Sequence, residues 1–509
     1  MTVSHLPKGW AELSLSDIGE WLGGGTPSKA EPTFWDGTIP WVSPKDMKVT
    51  SIVDTEDHIS EAAIERSAVK MIPQGSILFV TRSGILAHSF PVATTKSIVT
   101  INQDLKAIVP LRCVESEYLA WSLRATAREI LNRCTKHGTT VHSIEIPALK
   151  TWRIWVPPLN EQHRIVAKIE TLFSELDKGI EALKTARDQL KVYRQAVLKH
   201  AFEGKLTARW REENKDKLET PEQLLVRIQS EREAHYKQQL EAWMAWEINS
   251  EGRKPAKPKP PLKQKTQIDV DFEVPDSWGI LELQALALES VLGKMLDKQK
   301  NTGTERPYLG NINVRWGAFN LSDLKSMRIE DTEVDRYSVK HGDLVVCEGG
   351  EPGRCAVWEK GDDTIFIQKA LHRVRFSESY SPKFAYYYLV YSAPLERVVK
   401  NFTGTTIKHL TGAGLNKIQF PVCSLNEQAE VVNILDAQFS EIEALEKELA
   451  DQLAKSETLR QSILKKAFSG QLVPQDPNDE PSSALLERIR AEKARPGCTT
   501  KGNKRKQSA

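Results

Sequence analysis

The chain has 509 residues, of which 40% are hydrophobic and 27% charged, an ordinary composition for a globular protein with several domains. Its formal net charge of +2 excludes a globally basic protein, so any nucleic-acid surface must be local. No apolar run is long enough to span a membrane, and the first residues lack a signal-peptide pattern. The six cysteines show no CxxC spacing. We therefore expect a cytoplasmic protein with reduced thiols, no metal site and no membrane association.

Residues 1–158 are predicted to form a first globular domain. Short apolar runs at 76–81 and Leu105–Pro110 are bounded by turn residues and indicate strands. A helical pattern covers 116–134. Strands mixed with helices in this way are typical of an α+β domain.

Residues 159–204 are predicted to form one long helix. No proline interrupts them, Asn160 is a candidate N-cap, and Gly204 is a good C-terminal stop. At 1.5 Å per residue such a helix is roughly 60 Å long, too long for an ordinary globular helix. A coiled coil is the favoured interpretation.

Residues 205–270 are predicted to be a linker. An amphipathic helical pattern covers 221–248, and the stretch 253–265 (RKPAKPKPPLKQK) is basic and rich in proline. No core can be built from the second stretch, which predicts an extended chain.

The second half of the chain repeats the first. The stretch 425–472 aligns without a gap on 159–206, at a constant offset of 266 (425 minus 159). The predicted parts are a second domain (271–424), a second long helix (425–470, with Asn426 as N-cap), and a C-terminal helix with a basic tail (471–509). Two copies of one unit usually relate by a pseudo-two-fold axis. The expected fold is therefore α+β, with two globular domains separated by two long antiparallel helices.

The apolar positions of the two long helices follow the same heptad phase, which favours pairing of the helices with each other in a coiled coil. The alternative is a single exposed amphipathic helix in each half. The predicted seam consists of Ile169, Phe173, Leu176, Leu183 and Leu190 in the first helix, and Leu435, Phe439, Ile442, Leu449 and Ile463 in the second.

The doubled pattern resembles the DNA-specificity subunit of type I restriction–modification systems over essentially the whole chain. The resemblance rests on the helix starts (PPLNEQ at 157–162, LNEQ at 425–428), the helix ends (QAVLKHAFEGKL at 195–206, QSILKKAFSGQL at 461–472) and the tail ALLERIRAEK at 484–493. One departure is Cys423-Ser424, where the family usually has two prolines.

The resemblance implies a sequence-specific double-stranded DNA-binding protein that takes part in defence against foreign DNA. Each globular domain would be a target recognition domain that reads one half of a bipartite site, and the paired helices would set the unread spacer. Two methyltransferase subunits and two restriction subunits would join the chain in the full complex. That complex is an adenine-N6 methyltransferase and an ATP-dependent endonuclease. S-adenosylmethionine, ATP and Mg would belong to the partner subunits, and this chain would carry no cofactor.

Candidate DNA contacts lie in loops whose glycines let the backbone approach a ligand. Arginine and lysine contact phosphates and guanine, Ser and Thr reach other base edges, and Glu348 or Glu351 could accept from cytosine N4. The alternative for each residue is a solvated turn. The first domain offers Lys45, Lys48, Thr81, Arg82, Ser83, Lys136, Thr139, Thr140 and His142, and the second offers Glu348, Glu351, Arg354, Thr405, Thr406, Lys408 and His409.

Catalytic motifs are missing from the sequence. It contains neither a GxxxxGK[ST] phosphate loop nor the Asn/Asp-Pro-Pro-Tyr/Phe motif expected of an amino-methyltransferase. A non-catalytic subunit is therefore favoured over a fused methyltransferase or nuclease, and over a coiled-coil scaffold that does not bind DNA. The run Tyr386-Tyr387-Tyr388 lies in a helical pattern and is assigned to the core. Outer-face positions of the long helices, among them Glu161, Arg164, Lys168, Lys184 and Lys191 with their counterparts, are candidates for methyltransferase contact.

Overall fold

The computed structural model describes residues 7–136, 141–249, 257–262, 273–297, 301–361, 365–404 and 408–494. The chain divides into two compact units, one made of Met1–Lys184 with Ala450–Ala509 and the other of Thr185–Leu449. Each unit therefore holds one globular domain and a part of each long helix. Within the described residues, no helix has the length and apolar character needed to cross a membrane.

The domain of the first unit is built from short strands around a few helices, as its alternating sequence predicts. Its helices are Glu61–Glu65, Ser116–Ala125, Ala127–Cys134 and Ile146–Lys150, with 3-10 turns at Pro32–Phe34 and Gly84–Ala87. Its strands are Ala11–Ser14, Gly19–Gly23, Ile39–Val42, Ser51–Ile52, His58–Ile59, Met71–Ile72, Ile77–Val80, Arg82–Ser83, Val92–Thr95, Val99–Ile101, Leu105–Pro110, Thr135–Lys136, His142–Ile144 and Arg153–Val156.

The helical pattern predicted over 116–134 is confirmed, with a break at Thr126. Thr126 lies at φ −102° and ψ 7°, outside the helical region, and separates Ser116–Ala125 from Ala127–Cys134. Its hydroxyl donates to Ser122 O at 2.9 Å, a local side-chain bond that competes with continuation of the helix. The pattern therefore forms two helices rather than one continuous helix.

The second unit has a domain of the same class. Its helices are Ala208–Glu213, Pro221–Asn249, Leu283–Leu286, Val334–Tyr337, Pro382–Ser392, Glu396–Val399 and Gly412–Asn416, with 3-10 turns at Lys215–Lys217, Asn311–Asn313 and Asp331–Glu333. Its strands are Gly279–Glu282, Ala287–Leu292, Thr304–Leu309, Val314–Arg315, Ala318–Phe319, Lys325–Ile329, Leu344–Cys347, Cys355–Val357, Phe366–Ile367, Leu371–Phe376 and Gln419–Val422.

The two domains share the order of their main sheet. In the first, Leu105–Pro110 lies between Gly19–Gly23 and Ile77–Val80, all antiparallel. In the second, Leu371–Phe376 lies in the same way between Ala287–Leu292 and Leu344–Cys347. The neighbouring strands Ile77–Val80 and Leu344–Cys347 are buried at every residue, which explains their continuous apolar sequence. The sequence repeat is therefore also a repeat of topology.

The segment predicted as a linker is largely packed. Leu224 and Ile228 of helix Pro221–Asn249 are fully buried in the core of the second unit. Arg232 of the same helix donates to Ala287 O and Gln284 O of the second domain and to Leu262 O of the linker, so it ties the helix and the linker to that domain. In the first unit, helix Ser482–Lys493 occupies the related position and buries Leu485 and Ile489.

The two long helices span Leu159–Phe202 and Leu425–Ala467, close to their predicted bounds. The predicted glycine stops are confirmed, because Gly204 and Gly470 have φ +68° and +72°, where a side chain is strained. The N-cap prediction was wrong. Both helices begin one residue before Asn160 and Asn426, and in the second it is the Ser424 hydroxyl that accepts from Glu427 N.

Within each unit the long-helix segments run in opposite directions. In the first unit, Arg460 of the second long helix forms an ion pair with Asp177 of the first. Arg164, nearer the start of the first long helix, pairs at 2.6 Å with Asp479, which lies beyond the end of the second. In the second unit, Arg194 pairs with Glu446 at 3.4 Å, and Arg211, beyond the helix end, pairs with Glu427 at 2.9 Å. Among the ten predicted seam residues, the buried ones are Ile169, Phe173, Leu435, Phe439, Ile442 and Ile463, and the half-buried ones are Leu176, Leu183, Leu190 and Leu449.

Candidate nucleic-acid interface

The candidate residues of the first domain are gathered by a small three-stranded sheet. Strand His142–Ile144 pairs on one side with Arg82–Ser83, where His142 faces Ser83, and on the other with Thr135–Lys136. Two loops that are distant in sequence are therefore adjacent in the fold. The sequence placed candidates in each loop but contained no signal that the loops meet.

The side chains in this sheet differ in their freedom to contact a ligand. Arg82 and Lys136 are exposed, which suits contact with phosphate. Thr81 is buried, and its hydroxyl donates to Asp104 O at 2.9 Å, so it is already used inside the domain. Ser83 accepts from Ile85 N at 3.3 Å and caps the following turn. Residues 139–140, the candidates Thr139 and Thr140, lie outside the described residues.

The two lysines of the loop after Ile39–Val42 are in different situations. Lys45 forms ion pairs with Glu56 at 2.8 Å and Asp57 at 3.0 Å, and hydrogen bonds to these carboxylates raise its pKa. A phosphate would have to compete with both. Lys48 is exposed.

The two candidate loops of the second domain also meet. Leu410 N donates to Glu348 O at 2.7 Å, which joins the loop after Leu344–Cys347 to the segment containing Lys408 and His409. A Cβ on Gly349 would come within 3.0 Å of His409 Nδ1, so the glycine permits this approach. The equivalent loops are therefore paired in both domains.

Side-chain contacts in the second domain occupy some candidates. Glu351 accepts from Trp316 Nε1 at 2.7 Å and pairs with Arg354 at 2.8 Å, while Arg354 also donates to Asn311 O. Glu348 is half-buried, whereas Lys408 and His409 are exposed. The candidates Thr405 and Thr406 fall outside the residues that the structure describes. In the same described part of the chain, no three His, Cys, Asp or Glu side chains could hold a metal ion.

The predicted core role of the tyrosine run is confirmed for Tyr387 and Tyr388, which are buried on helix Pro382–Ser392 together with Tyr391. Tyr387 donates to Asp436 at 2.5 Å, and burial, its largest effect, raises its pKa. Tyr386 is half-buried.

The LNEQ motif joins each domain to its long helix, a role that was not predicted from the sequence. The Gln162 amide accepts from Glu115 N at 2.8 Å and donates to Cys113 O and Pro157 O. Gln428 does the same with Ser381 N, Ser379 O and Cys423 O. Both glutamines are fully buried. Each motif therefore fixes the angle at which a domain leaves its helix, and the identical spacing in both copies was the available signal.

The glutamates of the motif are buried too, which corrects the assignment of Glu161 to an outer face. Glu161 accepts from Trp10 Nε1 at 3.0 Å, and burial raises its pKa against the opposing effect of this bond. Glu427 instead accepts from Thr207 Oγ1 at 2.8 Å and pairs with Arg211. The two junctions therefore share the glutamine contacts but differ in the partner of the carboxylate.

Residues 7–185 and 293–455 match the family model described as the type I restriction modification DNA specificity domain. The chain belongs to this family. This membership confirms the predicted resemblance to the DNA-specificity subunits.

Several relatives in the type I restriction family are similar in sequence. The EcoR124I/EcoR124II specificity subunit of Escherichia coli is 40% identical over 36% of this chain and 46% of its own length. The MjaIX specificity subunit of Methanocaldococcus jannaschii is 31% identical over 39% of this chain and 45% of its own length. The chain thus spans less than half the length of these two. The EcoKI specificity subunit of Escherichia coli is 22% identical over 98% of both chains.

Solved structures of the family share the fold. A chain from a study of complex assembly and conformational transition of the type I restriction–modification system has a TM-score of 0.64 at 18% identity, covering 92% of this chain and 100% of that one. The HsdS subunit of Thermoanaerobacter tengcongensis has a TM-score of 0.54 at 19% identity, covering 92% and 98%. At these identities the likeness establishes the two-domain fold alone.

Proposed function

We propose that the chain is the subunit that selects the DNA site of a type I restriction–modification complex. Each domain reads one half of a bipartite double-stranded target, and the long helices hold the two readers apart. The observation that carries this proposal is the contrast between matching junctions and unlike loops. Gln162 and Gln428 make equivalent hydrogen bonds, whereas the paired loops offer Arg82 and Lys136 in one domain but Glu348 and Lys408 in the other.

Different loop chemistry on one framework suits two different half-sites. Exposed arginine and lysine contact phosphates or guanine, and a carboxylate accepts from cytosine N4. In each domain these groups stand on loops joined by backbone hydrogen bonds, as in Ile144 N to Thr81 O at 2.8 Å and Leu410 N to Glu348 O at 2.7 Å. Such bonds fix the loops before DNA arrives and lower the entropy cost of binding.

The long helices are proposed to form an antiparallel coiled coil that sets the length of the unread spacer. Opposite helix directions within each unit and the burial of the heptad positions support this. A helix of 44 residues is about 66 Å long, enough to hold apart two readers of half-sites that lie about 34 Å apart on one face of B-DNA.

Partner subunits are proposed to supply the chemistry. Two methyltransferase subunits would bind the repeated framework, because a doubled surface suits two identical partners. Restriction subunits would join through them, with S-adenosylmethionine, ATP and Mg bound by the partners.

The decisive experiment maps methylated adenines in cells that carry the complete system with this chain. We expect a bipartite asymmetric motif. Exchange of residues 1–158 for those of another family member should change one half of the motif and leave the other half and the spacer intact. A change in both halves would contradict the assignment of one domain to each half-site.

Two alternatives predict different results. A catalytic chain would transfer methyl groups when purified alone. A scaffold without DNA contact would leave no bipartite footprint when the methyltransferase is present. Either result would replace the proposal.

A further inference from the structure

Each unit contains a cleft beside its long helices. In the second unit, a cleft of about 1040 Å³ is bordered by helix Pro382–Ser392 and the second long helix. In the first unit, a cleft of about 580 Å³ is bordered by helix Ser116–Ala125 and the first long helix. Arg82 and Lys408 lie outside both clefts, but Glu351 and Pro352, from the loop after Leu344–Cys347, line the cleft of the second unit.

The two clefts are lined by the same positions of the repeat. Six lining residues of one cleft lie 266 positions from six of the other, for example Asp177 and Glu443 (443 minus 177 is 266). The chemistry is retained at each of them. The six pairs are Glu170 and Asp436, Phe173 and Phe439, Ser174 and Ser440, Asp177 and Glu443, Trp121 and Tyr387, and Arg460 and Arg194.

The floor of each cleft has the same geometry. In the first unit, the Arg460 guanidinium lies 4.9 Å from the Phe173 ring centre, and Trp121 meets that ring edge-on at 5.1 Å. In the second unit, the corresponding distances are 4.7 Å from Arg194 to Phe439 and 5.4 Å from Tyr387 to Phe439. Cation–π and edge-to-face contacts of this kind hold the floor rigid.

Internal contacts account for the floor and for only part of the rim. Ser174 and Ser440 are exposed at the same position of each helix, and so are Asp177 and Glu443. Asp177 pairs with Arg460, and the Ser440 hydroxyl donates to Asp436 O at 2.8 Å. Exposed contacts of this kind contribute little to stability, so they are a weak reason for both copies to keep small and acidic side chains there. A partner that contacts both copies is a stronger one.

The charge of the clefts indicates what kind of partner fits. The cleft of the first unit has three carboxylates (Glu170, Asp177, Glu181) against two cations (Lys178, Arg460). The cleft of the second unit has three (Glu359, Asp436, Glu443) against two (Arg194, Lys383), besides Glu351, which is paired with Arg354. Each is therefore net negative, which repels the phosphate backbone of DNA and attracts a basic protein segment.

We propose that each cleft receives the same lysine- or arginine-bearing segment of a methyltransferase subunit, so that one chain binds two copies in equivalent ways. This inference rests on the proposed function, because it takes the methyltransferase as the doubled partner. It adds the place of contact and its chemistry.

The test uses the full-length chain and the methyltransferase subunit of the same system. Ser174→Arg and Ser440→Arg each place a bulky cation at the rim of one cleft, on an exposed helical position. The matched control T185R/Q189R adds the same two arginines at exposed sites of the first long helix outside both clefts. Light scattering measures how many methyltransferase subunits bind each chain, and titration measures the affinity of that binding.

The wild type and the control should bind two methyltransferase subunits, each single variant one, and the double variant none, with affinity at the blocked cleft at least about tenfold lower. Hydrogen exchange on the unmodified chain checks the same contact without mutation, and residues 170–178 and 436–443 should gain protection on binding. A double variant that still takes two subunits, or an absence of protection at both clefts, would overturn the inference.

The outcomes also separate this inference from the function on which it rests. A double variant that binds two subunits and still directs methylation to a bipartite motif refutes the clefts but not the function. A wild-type complex with two subunits, blocked by S174R/S440R but without sequence preference on DNA, supports the clefts and refutes the function. A wild-type chain that binds no methyltransferase refutes both.

Discussion

The main sheets of the two domains share the order of four strands but have different interiors. Where the first domain has Ala107 and Val109 on its central strand, the second has Arg373 and Arg375, and where the first has Ser76 the second has Asp343. Arg373 is fully buried, forms an ion pair with Glu289 and donates to Ser338 O at 2.9 Å. Asp343, equally buried, pairs with Arg375 at 2.7 Å.

This difference shows which features define the fold. Strand pairing and the alternation of buried positions are retained, while a charged cluster replaces apolar side chains. A buried ion cluster is often no more stable than an apolar core, but it is sensitive to the loss of one member. The second domain should therefore be fragile in ways that the first is not.

The largest effect is expected from loss of the Asp343 carboxylate. Asp343→Ala leaves Arg375 without that partner and Arg373 next to a reduced negative charge, and should destabilise the second unit by about 4 kcal/mol. The matched change Ser76→Ala removes one buried hydrogen bond, to Pro73 O, and should cost the first unit about 1 kcal/mol. Urea unfolding followed by hydrogen exchange in each unit separates the two values. Equal losses of stability in the two units would contradict a special sensitivity of the charged cluster.

Acid should also affect the second domain through Glu289. Burial raises the pKa of this carboxyl, but His235, Arg373 and Arg375 outweigh it and lower the pKa from 4.5 to about 2. The folded state then binds fewer protons than the unfolded one, so the stabilisation is complete above pH 4.5 and is lost as the pH falls towards 2. This stabilisation from Glu289 amounts to roughly 3 kcal/mol. Thermal unfolding of wild type and Glu289→Gln at pH 7 and pH 3 should show a smaller pH dependence in the variant, and an unchanged dependence would contradict the assignment.

The smallest effect is expected at the two junctions. Glu427→Gln removes the charge that pairs with Arg211 and should destabilise the second unit by about 2 kcal/mol. Glu161→Gln retains an oxygen that accepts from Trp10. The carboxylate that it removes is hydrogen-bonded to a tryptophan rather than paired with an arginine, so the effect should stay within about 1 kcal/mol. Chemical unfolding of both variants measures the difference. A larger loss in Glu161→Gln would reverse this comparison.

The repeat made the domain plan predictable from sequence, since a constant offset of 266 fixed both long helices and their glycine stops. The loop pairs were not predictable, because the contact of Glu348 with Leu410 joins positions that carry no shared pattern. The burial of Glu161 was also hidden, since a glutamate in the first turn of a helix normally favours solvent and the helix dipole. Trp10, its partner, lies 151 positions away.

The first unit consists of two separate stretches of chain, whereas the second is a single stretch, Thr185–Leu449. During synthesis the second unit is complete before the ribosome reaches Ala450. The first domain, although made earlier, must wait for Ile463, Leu464, Leu485 and Ile489 to fill its apolar clusters. The order of synthesis is therefore the reverse of the order of completion, and the apolar clusters of the first domain stay incomplete until the second unit has been synthesised.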